Sequence, residues 1–204
     1  MDGVFMRKII KVTLCLFLLV STIWLADVWQ DKRILREDLI RLHVVANSDS
    51  AKDQELKLQV KNAIVAYLQP LVEDFTDKDE ALAYINDNIT SIEQVANEVL
   101  ADQGSECRAT AQIDLEAFDT REYQTFSLPA GVYDSLRIKI GDGCGRNWWC
   151  VVFPSLCLPA TTEEFQDIAV SSGFSTGLSN TLSNGRNIRF YVLDLFGRLE
   201  NIFH

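Results

Sequence analysis

The chain has 204 residues, of which 48% are hydrophobic and 24% charged, and its formal net charge is -10. That length and apolar share are enough to bury one sizeable core. An acidic chain gains nothing from neutralising phosphates, which excludes nucleic acid as a partner.

The one basic tract opens the chain. Arg7, Lys8 and Lys11 precede an apolar run, residues 12–26, that Asp27 ends. The run matches a signal peptide and falls short of the ~20 residues that span a bilayer comfortably. Trp24 is too bulky for the minus-three position of a cleavage site after Ala26, so residues 1–27 read as either a cleaved signal peptide or an uncleaved signal-anchor. The basic flank keeps the N-terminus inside and places everything after Asp27 outside the cytoplasm. Residues 28–38 are charged and mixed, a linker or short helix, and residues 39–204 form one extracytoplasmic domain.

Export decides how the cysteines read. Cys15 lies in the apolar run. Cys107, Cys144, Cys150 and Cys157 lie outside, an even number in an oxidising place. Three pairings are open; the short loop containing Pro154 favours Cys150 with Cys157, which leaves Cys107 and Cys144 as a candidate second pair. Zinc prefers close Cys-x-x-Cys or His-x-x-x-His pairs, and the chain has neither, so no metal or other cofactor is expected.

Leu39-Ile40-Arg41-Leu42-His43-Val44-Val45 reads as a strand, ended by the polar turn Ala46-Asn47-Ser48-Asp49-Ser50. Ser50 and Asp53 make a capping box for a helix whose Leu56, Val60, Ala63 or Ile64, Tyr67 or Leu68, and Leu71 recur at helical spacing, and Pro70 kinks or ends it near there. A second helix starts at Thr76-Asp77, carries Leu82, Ile85, Ile89, Ile92, Ala96 and Val99 on one stripe, and stops at Gly104. Ala109, Ala111, Ile113, Leu115 and Ala117 then alternate with polar residues, the mark of a half-buried strand. A turn at Pro129-Ala130-Gly131 leads to a strand over 133–140. If these two strands pair, Asp114 and Glu116 face Arg137 and Lys139. Residues 141–147 form a loop into a strand over 148–153, ended by Pro154. Thr161 or Thr162 caps a short helix through Val170. Residues 171–187 read as a mobile loop, 188–192 as a strand and 193–203 as an amphipathic helix. The result is an α+β fold: a mostly antiparallel sheet with two tandem amphipathic helices packed on one face, preceded by the N-terminal signal/anchor helix.

Catalytic machinery is sparse. His43 is the one imidazole inside the domain, since His204 is terminal. Pairing it with Cys150 or Cys157 would give a secreted thiol-type hydrolase acting on peptide or cell-wall material, but an exported thiol with a cysteine close by is more often bonded to it. The acidic pairs Asp49/Asp53 and Asp114/Glu116 are explained by capping and a solvated face. Gly141-x-Gly143-x-Gly145 lacks the lysine and Ser/Thr of a phosphate loop and runs into a strand instead of a helix. The residues alone describe an exported, non-catalytic, disulfide-bearing domain close to a membrane.

Two stretches carry a resemblance. Ile40-Arg41-Leu42-His43-Val44-Val45-Ala46-Asn47-Ser48-Asp49-Ser50, followed by Asp53-Gln54 and Leu56-Lys57, resembles the opening motif of the stage II sporulation protein R family. Pro129-Ala130-Gly131-x-Tyr133, Leu136-Arg137-Ile138 and Gly145-x-Asn147-Trp148-Trp149-Cys150-Val151-Val152-Phe153-Pro154 with Cys157 resemble its second block. The resemblance covers roughly residues 39–158. It implies a signalling protein of endospore-forming bacteria, made in the forespore and exported into the space between forespore and mother cell. Its partner there is a membrane-embedded sporulation aspartic protease, which processes the precursor of the early mother-cell sigma factor. The family implies no catalytic residues, no cofactor and no small-molecule substrate. The candidate partner-binding residues are Asn47, Ser48 and Asp49 together with Asn147, Trp148 and Trp149. Adjacent strand residues point to opposite faces, so only one tryptophan is buried in a given layer. A membrane-tethered structural module is the plainer alternative.

Overall fold

The computed structural model describes residues 3–157 and 161–203. Helix α1 (Gly3–Glu37) is one continuous helix of 35 residues, about 50 Å long. Its N-terminal part is long and apolar enough to cross a membrane and projects free of the domain. The stretch expected as a linker or short helix is the last part of α1. Val28 and Leu35 fall on its inner side and are fully buried, while the charged residues between them face outward or pair with the domain.

Strand β1 (Ile40–Val45) follows at once and is buried at all six positions, because it lies inside the sheet and is covered on both faces. The other strands are β2 (Ala109–Phe118), the short hairpin of β3 (Arg121–Glu122) and β4 (Ser127–Leu128), β5 (Gly131–Ile140) and β6 (Asn147–Phe153). The main sheet has the order β2-β5-β1-β6. β1 is parallel to β5 and antiparallel to β6, and β2 is antiparallel to β5, so the sheet is mixed and mostly antiparallel as expected. The β2–β5 register differs from expectation. Asp114 lies opposite Ser135 and Glu116 opposite Tyr133, while Gln112 and Thr110 face Arg137 and Lys139. Pairing Ala109 with Ile140 at the strand ends sets this offset.

One face carries α2 (Ala51–Val72), α3 (Lys78–Asp87) and α4 (Ile89–Asp102). Ser50 caps α2 by accepting from the Asp53 amide at 3.1 Å, and the helix ends two residues after Pro70. The second expected helix is two. Asn88 leaves helical geometry (φ -102°, ψ 12°) and turns its amide back to the Tyr84 carbonyl. The break points both Ile85 of α3 and Ile92 and Ala96 of α4 at the core formed by Leu42, Val44, Leu136 and Ile138 beneath Val60, Ile64 and Leu68.

The opposite face is covered too, by the end of α1 and by α5 (Thr162–Ser171), α6 (Thr176–Asn184) and α7 (Ile188–Phe203). Two expectations are corrected here. The mobile loop contains α6, which Ser175 caps by accepting from the Leu178 amide at 3.0 Å and left-handed Gly185 ends. The expected strand at 188–192 is the start of α7. Branched and aromatic side chains suggested a strand, but Phe190, Leu193, Asp194 and Gly197 are buried at helical spacing, and tertiary burial overrides local preference. A side chain at Gly197 would run into the Ala130 carbonyl, so only glycine lets α7 lie this close to the 129–131 turn.

Candidate functional site

The pairing of β1 with β6 sets Val45 opposite Asn147 and so brings the 46–50 turn against the 141–146 loop. The two are laced together. The Asp53 carboxylate accepts from Asn47 Nδ2 at 2.9 Å and Ser48 Oγ at 2.5 Å, and these bonds, Ser48 first, hold it below the usual aspartate range. Asn47 Oδ1 accepts from the Asp142 amide at 3.0 Å, and the Asn47 carbonyl accepts from Cys144 at 3.1 Å. Asp49 Oδ1 accepts from the Arg146 amide at 2.7 Å, and Gln54 Nε2 donates to the Ser48 carbonyl at 2.9 Å. Gly141 and Gly143 have φ of 54° and 65°, and any side chain at Gly145 would strike the Ser48 backbone. The glycines therefore serve a turn and a close approach between loops.

Asn47 and Ser48 thus spend their polar groups inside the loop pair, while the exposed Asp49 ties it to Arg146 at the surface. The two tryptophans diverge. Trp148 lies opposite Val44 on the α2 side, is 38% exposed, and carries the Lys61 ammonium 4.9 Å from its ring centre. Lys57 stands one turn away, donating to the Arg146 carbonyl at 3.0 Å and to Gln54 Oε1 at 2.8 Å. Burial lowers both lysines, and the Arg146 charge lowers Lys57 further. One part-exposed tryptophan thus lies over the buried Lys61, with the buried Lys57 a turn away. The two lysines escape a reading based on the apolar stripe alone. Their signal is the i, i+4 spacing that places both beside Val60 on the buried side of α2.

Trp149 faces the other way. It stacks on His43 with ring centres 5.5 Å apart, and the Arg121 guanidinium lies 3.4 Å above its ring. His43 Nδ1 sits 3.1 Å from both carboxylate oxygens of Glu116, and Arg137 Nη1 lies 3.6 Å from the same carboxylate. Burial would push Glu116 up, but the hydrogen bond to His43 and the charges of His43 and Arg137 outweigh it and hold it below its ordinary value. Beside them Arg41 is fully buried between the rings of Phe118 and Tyr133, with Nη2 donating to the Tyr123 hydroxyl at 2.9 Å. Arg41 Nε and Nη1 have no hydrogen-bond partner among the described residues.

Cys150 lies opposite Leu42 on the α2 side and is bonded to Cys157, with Cα atoms 5.3 Å apart. His43 therefore sits across the sheet from both sulfurs. Cys107 and Cys144 are free thiols, as is Cys15. Among the described residues no group of three or more His, Cys, Asp and Glu side chains is placed to hold a metal ion.

A family model described as stage II sporulation protein R matches residues 36–163. The match starts at the last two residues of α1 and takes in both loops of the laced pair, Trp148 and Trp149. Stage II sporulation protein R of Bacillus subtilis strain 168 is 36% identical over 124 residues, which are 61% of this chain and 55% of that protein, so the chain spans about half the length of this relative. No solved structure matches the chain. The family match covers more than half of the chain, on the segment that builds the laced loops; the chain belongs to the stage II sporulation protein R family.

Proposed function

We propose that this protein is an exported sporulation signal that switches on a membrane-embedded aspartic protease, which then processes the precursor of the early mother-cell sigma factor. It acts in the space between forespore and mother cell, held to or released from the membrane through α1, and it acts by binding, without catalysis of its own. The observation that carries this reading is Trp148, a part-exposed tryptophan on the edge strand β6 beside the laced loops, with the buried Lys61 ammonium against its ring. Tryptophan beside cations is the composition of a binding hot spot. Such a surface activates the protease only if it binds the active state better than the inactive one.

Co-expression of the protease and the sigma precursor with variants of this chain tests the proposal. Trp148→Ala is expected to lower precursor processing by about tenfold or more while leaving the fold intact. Asn47→Ala, which frees the loop pair, gives a smaller loss. Trp149→Ala acts through stability, since its ring is enclosed by His43 and Arg121. Full processing by folded Trp148→Ala protein would remove this surface from the mechanism.

A further inference from the structure

Lys61 is a buried charge without a counter-charge. It belongs to the buried side of α2, is 8% exposed, and holds its ammonium 4.9 Å from the ring centre of Trp148. Among the described residues its Nζ has no hydrogen bond and no ion pair. Burial depresses its basicity, and no carboxylate lies near enough to raise it again.

Other shielded cations of this protein meet a carboxylate. Lys78 pairs with Asp134 at 2.6 Å, Lys32 with Glu200 at 3.0 Å and Arg189 with Asp27 at 2.7 Å. Lys57, one turn from Lys61, is held by two neutral acceptors, Gln54 Oε1 and the Arg146 carbonyl, and adds a second positive charge. Arg41 also lacks a carboxylate, but its Nε and Nη1 are sealed from solvent and its guanidinium lies against the rings of Phe118 and Tyr133. Nothing from outside can reach it. Lys61 Nζ is not sealed in this way. It also sits beside the part-exposed Trp148 on β6, the outermost strand of the main sheet.

An ammonium taken out of water is costly until a carboxylate pairs with it, and a ring face offsets only part of that cost. We propose that Lys61 is a docking point for a carboxylate: an aspartate or glutamate side chain of the protein partner pairs with its ammonium at the edge of β6, beside the exposed part of Trp148. This rests on the reading given above, in which Trp148 meets the protease, and adds the chemistry that the protease presents there. A chain of net charge -10 repels an acidic segment over most of its surface. The two lysines supply a local attraction that fixes where such a segment lands.

The test uses the full chain, co-expressed with the protease and the sigma precursor, and then purified in detergent to measure binding to the protease. Lys61→Met keeps the length of the side chain, removes its charge and leaves the partner's carboxylate unpaired. It is expected to weaken binding by about 30-fold or more and to lower processing with it, while the protein unfolds at the same or a higher denaturant concentration. Wild-type binding is expected to weaken between about 50 mM and about 500 mM salt, and Lys61→Met binding to change much less. Lys61→Glu is expected to regain processing when one acidic residue in the outer segments of the protease is changed to lysine. Full processing by Lys61→Met protein, or a loss of processing matched by a loss of stability, overturns the carboxylate. Trp148→Ala separates this from the reading beneath it. Loss with Trp148→Ala but full processing with Lys61→Met overturns the carboxylate alone, whereas full processing with both overturns the surface itself.

Discussion

The two faces of the central sheet are built on different principles. The α2 side is a mainly apolar core, in which Leu42, Val44, Leu136 and Ile138 are fully buried against α2 and α4, with Lys57 and Lys61 buried at its edge. The other side sets Arg41, His43, Glu116 and Arg137 among aromatic rings and covers them with the β3–β4 hairpin and the second helical layer. Every β1 side chain alternates between these environments, and so do the neighbouring tryptophans of β6. The first face is stabilised mainly by apolar burial. The second depends on the pairing of Glu116 with His43 and Arg137, because a buried charge left unpaired costs more than a missing hydrogen bond gains. Putting Trp148 on the apolar side leaves it half-exposed at the sheet edge, whereas Trp149 becomes part of the polar network.

Breaking the apolar face gives the largest expected effect. Leu42→Ala is expected to lower unfolding free energy by about 2–5 kcal/mol in denaturant titration, from lost burial plus the cavity left behind. Glu116→Gln comes next, at about 1–3 kcal/mol near neutral pH, because His43 and Arg137 lose their carboxylate. Its signature is in the pH dependence. Glu116 is held below its ordinary value of 4.5, so its stabilisation is present above that value and is lost as pH falls through the lower folded value. Wild-type stability should fall more steeply with acid than that of Glu116→Gln. Identical acid profiles would mean that the second face does not depend on this charge. Ser50→Ala, at the start of α2, is expected to cost about 1 kcal/mol, the worth of one helix cap. Trp148→Ala is expected to change stability least, by about 1 kcal/mol or less, while abolishing most processing. A large stability loss there would make Trp148 a core residue and remove the distinction between the two tryptophans.

The legible parts of the chain are those whose burial follows one local period. The stripe of α2, the alternation of β2, the caps at Ser50 and Thr161 and the apolar run of α1 are all of this kind. The second layer was harder to read. In α6 the serines and asparagines resemble a loop, yet Ser179 and Thr181 are buried with Leu178 and Leu182. In α7 an Ile-Arg-Phe-Tyr-Val opening suits a strand in isolation, but Phe190 is drawn into a helix whose other contacts lie on α1 and β5. At the candidate site, the sequence pointed to Asn47, Ser48, Asp49, Asn147, Trp148 and Trp149 as one group. The structure does bring the two loops together; Asn47 and Ser48 bond within the loop pair, while Asp49 and Trp148 are exposed. Lys57 and Lys61 were missed because long side chains on an apolar stripe look solvated until a tryptophan is seen to sit beneath them.

By itself the sequence determined the local elements of the first half, the apolar run that α1 carries, the closeness of Cys150 to Cys157 and the opposed directions of Trp148 and Trp149. These follow from backbone periods and chain distance, which act within a few residues. Only the tertiary structure decided that β1 lies inside a mixed sheet, that Arg41 is enclosed without an acidic partner among the described residues, and that Lys61 lies against the Trp148 ring. Such outcomes depend on groups far apart in the chain, as with Arg41 and the Tyr123 hydroxyl 82 residues away, and no local period carries that information.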